Sequence, residues 1–303
     1  MILHRKKIRY YLFLYILPAL TVYAVFMILP IIQSMRFSFF TGTGIIPDQF
    51  VGFGNYKKLF TQFPFKERFF NVLKNNITFF ILVMIFQNVY GFILAVLLTR
   101  KNVFGEKAFR TLFFVPTALS VIIVGFVFKL IFNPVWGVFD QVLRGIGLGN
   151  IIRPWLGDPA IALPILALVT AWHNIGIPVI FFTTGIDSID KDIIDAGMID
   201  GVGVLGEIRH LIIPILKPII GIVTILTFVG NFSEFEIVYS METAYGNPEY
   251  ATDVFGSFFY RTAFGTVMNN VNDIGLGAAL ASIMFLIIFI GVVFFLRISR
   301  KEN

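Results

Sequence analysis

Three polar residues recur at helical spacing inside a long apolar run: Thr227, Asn231 and Glu234, at i, i+4 and i+7. That spacing places them on one face of a helix. A charged group within a membrane-length span costs roughly 2.5–3.5 kcal/mol on insertion scales, so it marks a candidate site by default. An amide, a hydroxyl and a carboxylate on one face suit a hydroxyl-rich ligand in a water-filled cavity. The alternative for Glu234 is that it snorkels outward, and for Glu236 that is the better reading. A second group, Trp172-His173-Asn174, joins an aromatic face to two hydrogen-bonding side chains. Trp172 could stack on a sugar ring or pack against helices or lipid. Asn174 could line a cavity or bond a neighbouring helix, and His173 reads as structural. Pro116, Thr117 and Ser120 either line the same space or kink their helix.

Several chemistries are excluded. The chain has no cysteine, which removes disulfides and thiolate ligation, and its three histidines, His4, His173 and His210, lie far apart. No Gly-x-x-x-x-Gly-Lys-[Ser/Thr] loop is present, so the chain does not hydrolyse ATP by that route, and neither His-Glu-x-x-His nor Gly-x-Ser-x-Gly occurs. The net charge of +6 reads as basic helix ends facing anionic lipid, not as a nucleic-acid surface.

One segment breaks the basic pattern. Residues 185–212 hold Asp187, Asp190, Asp192, Asp195, Asp200 and Glu207 against Lys191 and Arg209. Ser188 to Met198 is expected to form a short helix with Ile189, Ile193 and Ile194 on one face. Ala196-Gly197 has almost no side chain and would let another backbone approach. Asp200-Gly201 signals a turn. A second short helix should begin near Val204 and run into Pro214 and Pro218. An amphipathic linker resting on headgroups should be basic; this one is acidic, which better suits a protein partner.

These groups must be positioned by membrane helices. Of 303 residues, 57% are hydrophobic and 14% charged, against roughly 25% charged in a soluble domain. The apolar residues form blocks of about 20, the length that crosses a bilayer. Six blocks stand out, at Tyr10–Ile32, Asn76–Leu98, Thr111–Phe132, Ala160–Thr184, Ile213–Val238 and Gly275–Leu296. The first follows His4-Arg5-Lys6-Lys7 but is too long for a signal-peptide core, so it reads as a retained anchor. The basic start, the 2–3 loop from Arg100 to Arg110, and Arg297, Arg300 and Lys301 put both termini on the cytoplasmic side. Segments 33–75, 133–159 and 239–274 are then external. The first carries six basic residues over a long stretch, where the charge rule weakens.

Asp195, Ala196, Gly197, Asp200, Gly201, Val202, Pro214 and Pro218 resemble the signature loop of ABC importer permeases, Glu-Ala-Ala-x-x-Asp-Gly-Ala followed by Pro-x-x-x-Pro. Asp195 stands for glutamate, Gly197 for the second alanine and Ile208 for a usual phenylalanine. The resemblance extends along the chain. It takes in Val51-Gly52-Phe53-Gly54-Asn55-Tyr56, Phe109-Arg110, Phe113 to Pro116, Leu130 to Pro134 with Gly137, and Trp155 to Pro159. Gly246 to Pro248 with Thr252 and Tyr260 to Gly265 complete it. The order of these matches points to the carbohydrate-uptake branch, similar to the sugar and glycerol-phosphate permeases.

The resemblance implies an all-α polytopic membrane protein of the type I importer fold. It would be a single permease domain over 1–303, with a core at 72–297 and a cytoplasmic coupling loop at 185–212. It implies that Asp195, Ala196, Gly197, Asp200 and Gly201 couple to an ATPase, and that Thr117, Asn174, Thr227, Asn231 and Glu234 lie on the solute pathway. The implied partners are a second homologous permease, two ATPase subunits that hold ATP and Mg, and an extracytoplasmic solute-binding protein. No cofactor or metal is expected in this chain. Two other readings stand beside it. An ion-gradient-driven secondary transporter would want deep intramembrane carboxylates, and Glu234 is the only candidate. A membrane enzyme would want paired catalytic residues at one depth, and none is found.

Overall fold

The computed structural model describes residues 14–42, 44, 46–100, 104–265 and 272–301. The basic start, the beginning of the first apolar block and Lys101 lie outside the described residues. The regular elements of the described chain are helices, apart from one two-stranded ladder. Long apolar blocks become helices because lipid offers backbone groups no other partner. Among the described residues, four helices are long and apolar enough to cross a membrane: α1 (Leu14–Phe37), and three that are labelled below. Two bent helix pairs bring the number of candidate spans to six.

The chain divides into two compact units, residues 1–66 with 262–283, and residues 67–261 with 284–303. In the first unit, α1 has no part of its apolar window covered by protein. It leads into strands β1 (Phe40–Thr41) and β2 (Gln49–Phe50), paired antiparallel, and then α2 (Gly54–Thr61). Asn55, quoted above in the family motif, donates to the carbonyls of Ser38 (2.9 Å) and Phe40 (2.7 Å) and so anchors the turn. Asp273 accepts from Thr41 Oγ1 at 2.9 Å and pairs with Lys58 at 3.8 Å.

The second unit holds the functional groups. Helix α3 (Phe65–Leu98) enters it and contains a π-helical turn at Met84–Val89. Helix α4 (Glu106–Ala118) and α5 (Val121–Ile131) form the first bent pair, at 95°. Pro116 lies in the 3₁₀ turn that ends α4, and Ser120 is extended. The expected continuous span at Thr111–Phe132 is therefore broken, because proline removes a helical hydrogen bond. A short helix α6 (Val138–Gly145) follows, where Asp140 accepts from Trp155 Nε1 at 2.6 Å.

Helices α7 (Ala162–Asn174) and α8 (Gly176–Asp187) are the second bent pair, at 50°. The Asn174 side chain donates to the Thr170 carbonyl at 3.1 Å, in competition with the helical ladder, and Gly176 follows. A Cβ at Gly176 would lie 2.7 Å from the backbone of Phe113 and Phe114. The break in one pair thus packs directly on the end of α4. Helix α9 (Lys191–Ile199) starts three residues later than Ser188, because Asp190 caps it by accepting from the Asp192 amide. Of the three isoleucines expected on one face, Ile189 and Ile194 pack inward while Ile193 is exposed.

Helix α10 (Val204–Phe232) runs through both prolines. It ends at Phe232, six residues short of the expected Val238, and a separate helix, α11 (Glu236–Glu242), turns away. α11 packs on α5 because Gly125 has no side chain: a Cβ there would fall 1.8 Å from Ser240 Oγ. Helices α12 (Phe255–Phe264) and α13 (Ile274–Lys301) complete the chain. Phe79, Val83, Leu166, Ile237, Val238 and Met241 are fully buried in the core that α3, α7 and α11 share.

Candidate functional site

The C-terminal end of α10 is held by α3. Asn76 Nδ2 donates to the Asn231 carbonyl at 3.0 Å, and Asn76 Oδ1 accepts from the Phe255 amide at 2.7 Å. One buried side chain thus joins the last turn of α10 to the first of α12. Asn75 holds the carbonyls of Tyr250 and Asp253, and the buried Asp253 pairs with Arg261 at 2.6 Å. These residues form a rigid polar frame around the segment that follows α10.

At the same end of α10 lies a cavity of about 400 Å³, lined by Gln87, Thr170, Asn174, Thr227, Asn231 and Glu234 among others. Four of the five residues expected on the pathway, Asn174, Thr227, Asn231 and Glu234, come together there. The fifth, Thr117, is not among the lining residues; its Oγ1 donates to the His173 carbonyl at 2.9 Å. Trp172 also stays out of the lining and stands edge-on to Phe128. His173 is buried with Nε2 at 3.2 Å from the Leu119 carbonyl, which matches its structural reading.

Sequence reasoning missed Gln87 and Thr170. Gln87 and Asn88 are both buried because the π-helical turn brings adjacent residues inward. Asn88 Nδ2 donates to Thr227 Oγ1 at 2.9 Å and orients it. Two amides in mid-span were the available signal for this pair. Thr170 precedes Asn174 by four residues, so its i, i+4 spacing was a signal as well. Glu234 Oε1 accepts from the Ile237 amide at 3.1 Å and so caps the start of α11 while lining the cavity. Asn231 Oδ1 and Thr170 Oγ1 are buried and have no hydrogen-bond partner.

The acidic segment has its own geometry. Asp195, Ala196, Asp200 and Gly201 are exposed, whereas Gly197 is buried against Leu211. Gly201 adopts φ +79° with open space around it, a backbone conformation that favours glycine. Two ion pairs flank the segment. Asp187, the last residue of α8, accepts from Arg110 of α4 at 2.8 Å, and Glu207, in the first turn of α10, accepts from Arg100 at 2.9 Å. Arg100 and Arg110 bracket the loop between α3 and α4. Each end of one loop is therefore clasped to an end of the other. A cavity of about 680 Å³ lies beside them, lined by Arg100, Asp187, Asp195, Met198 and Glu207. Among the described residues no group of acidic or histidine side chains is arranged to hold a metal.

The chain is similar to known proteins. The family model described as binding-protein-dependent transport system inner membrane component matches residues 87–302. The probable ABC transporter permease protein YurN of Bacillus subtilis is 30% identical over 286 residues, 94% of this chain and 93% of that protein. The lactose transport system permease protein LacF of Rhizobium radiobacter is 31% identical over 251 residues, 83% of this chain and 82% of that one. Among solved structures, a chain of a bacterial ABC transporter that imports the acidic polysaccharide alginate superposes with a TM-score of 0.79. It is 23% identical and the match covers 99% of this chain and 98% of that one. That likeness shows the importer permease fold. The ion-gradient alternative is left without support, since the matched family works with binding proteins. The chain belongs to the binding-protein-dependent transport system inner membrane components, the permeases of ATP-driven importers.

Proposed function

We propose that this permease forms half of a sugar-conducting pore and passes solute by alternating access. The observation that carries the reading is the polar cavity at the external end of α10, where Asn174, Thr227, Asn231 and Glu234 converge. Hydroxyl-bearing solutes need several hydrogen-bonding side chains in one wet space, and this cavity supplies amides, hydroxyls and a carboxylate. The names of relatives that carry lactose and arabinooligosaccharides support the sugar class. The partners are a second homologous permease, two ATPase subunits that hold ATP and Mg, and an extracytoplasmic binding protein. A solved importer of the same fold in complex with its periplasmic protein supports the last of these. Asp195, Ala196, Asp200 and Gly201 contact the ATPase, and Gly197 shapes the helix that carries them. Closure of the ATPases on ATP moves α9, and the bent helices α4–α5 and α7–α8 shift to open the cavity outward. Both termini and the acidic segment are cytoplasmic.

Purification in mild detergent should bring the ATPase and a second permease with the chain. Asn231→Ala and Glu234→Ala should lower uptake in proteoliposomes and leave that copurification unchanged. Normal uptake in both variants would remove the cavity from the pathway. Orientation has its own check: a cysteine at Met198 should resist an impermeant external maleimide in intact cells, and its ready labelling would invert the topology.

A further inference from the structure

The lining of the α10 cavity has one sign of charge. Its only ionisable side chains among the described residues are the carboxylates Glu234 and Glu236; no lysine, arginine or histidine reaches it. The groups left without partners are neutral oxygens, Asn231 Oδ1 and Thr170 Oγ1, each on a residue more than nine-tenths buried. An amide oxygen is an acceptor only, so what completes it must donate a hydrogen. A buried polar atom left unpaired is costly, which makes it a specificity element for whatever pairs with it. Sugar hydroxyls donate such hydrogens. A sugar carboxylate donates none, and its charge would face a lining that holds two carboxyl groups and no cation. At an effective dielectric constant of about 20 and a separation near 5 Å, two like charges weaken binding on the order of a hundredfold.

From this lining we infer that the cavity selects uncharged, hydroxyl-rich saccharides and rejects acidic ones, with Glu234 as the residue that sets the sign. The inference rests on the reading of this cavity as the solute pathway. It separates the chain from its alginate-importing fold neighbour, whose solute is an acidic polysaccharide. Glu234 is suited to the task because its position is fixed: one oxygen caps α11 through the Ile237 amide, and its neighbour Asn231 is held by Asn76.

The chain offers a direct probe. It has no native cysteine, and Gly230 lines the cavity with open space where a Cβ would stand. Gly230→Cys in the full chain, purified with its copurifying partners, reports occupancy through its rate of alkylation by an impermeant maleimide. Maltose, lactose and trehalose serve as neutral probes, digalacturonate as the acidic one and glucosamine as the cationic one. At least one neutral disaccharide should slow alkylation, with half-protection at roughly 10- to 100-fold lower concentration than digalacturonate. Adding Glu234→Lys should reverse that order, whereas Glu234→Gln should narrow the gap and keep neutral protection. Equal or better protection by digalacturonate, or stronger protection by glucosamine than by every neutral sugar, overturns the charge selection while leaving the pathway intact. Protection by no sugar in any background overturns the pathway reading, and the selection with it.

Discussion

Thr117 and His173 close each other's helix breaks. Thr117 Oγ1 donates to the His173 carbonyl at 2.9 Å, and the His173 ring lies 3.2 Å from the carbonyl of Leu119, two residues past Thr117. Each break frees backbone carbonyls from the helical ladder, and neither lipid nor a dry core can satisfy them. The two bends therefore stabilise one another across 56 residues of sequence. Thr117→Val keeps the shape and removes the donor. It should lower stability by about 1–3 kcal/mol, the cost of a buried unpaired carbonyl. Thr117→Ser should retain wild-type stability. Thermal unfolding in detergent decides, and a valine variant as stable as the serine one would show that the bond contributes nothing.

The pair Arg100–Glu207 should behave as a brace for the acidic segment. Glu207 is buried, so removing its partner leaves an unpaired charge. Arg100 is a third exposed, which softens the penalty to about 1–3 kcal/mol. Arg100→Glu alone should reduce ATP-driven uptake, and Arg100→Glu with Glu207→Arg should restore much of it. Uptake in proteoliposomes, together with ATPase copurification, measures both. A swap that restores copurification but not uptake would confine the pair to folding.

Gly201 should tolerate no β-branched side chain. Its φ of +79° is strained for valine by about 1–3 kcal/mol, although nothing lies within 4 Å of an added Cβ. Gly201→Val should insert normally and lose coupling, with weak ATPase binding or hydrolysis without uptake. Ala196→Lys, at an exposed position, should act likewise through bulk and charge. Full uptake in both variants would reduce the loop to a linker.

Glu242 should make stability depend on pH. Burial pushes its carboxyl up to about 7, and the Lys129 ammonium opposes the shift. A raised carboxyl favours the folded state while it is protonated. Its contribution is thus complete below the ordinary glutamate range and is lost as pH rises through about 7. Glu242→Gln keeps the neutral shape at every pH. The melting temperature of the native chain should fall relative to that variant between about pH 5 and about pH 8. Parallel curves across that range would show that Glu242 is ionised throughout.

Much of this protein was legible along the chain because the relevant signals are local. Apolar runs of bilayer length announce membrane helices wherever they fold, and six expected blocks correspond to four continuous spans and two bent pairs. Thr227 and Asn231 could be grouped because helical periodicity ties spacing to direction, whereas Glu234 reaches the same cavity from beyond the end of α10. The same holds for the turn at Gly201, where local backbone preference is enough.

What tertiary structure alone decided are relationships between distant segments. Pro116 announces a disturbance, but the 95° bend depends on His173 and Gly176 accepting the end of α4. The end of α10 at Phe232 was set by Asn76, 155 residues away, and by Glu234 capping α11 instead of extending α10. Gln87 joins the cavity only because a π-helical turn changes the face it presents. Periodicity carries no information about such partners. Pairings like Arg100 with Glu207 depend on which helix ends meet in space, and that is settled only when the apolar faces pack.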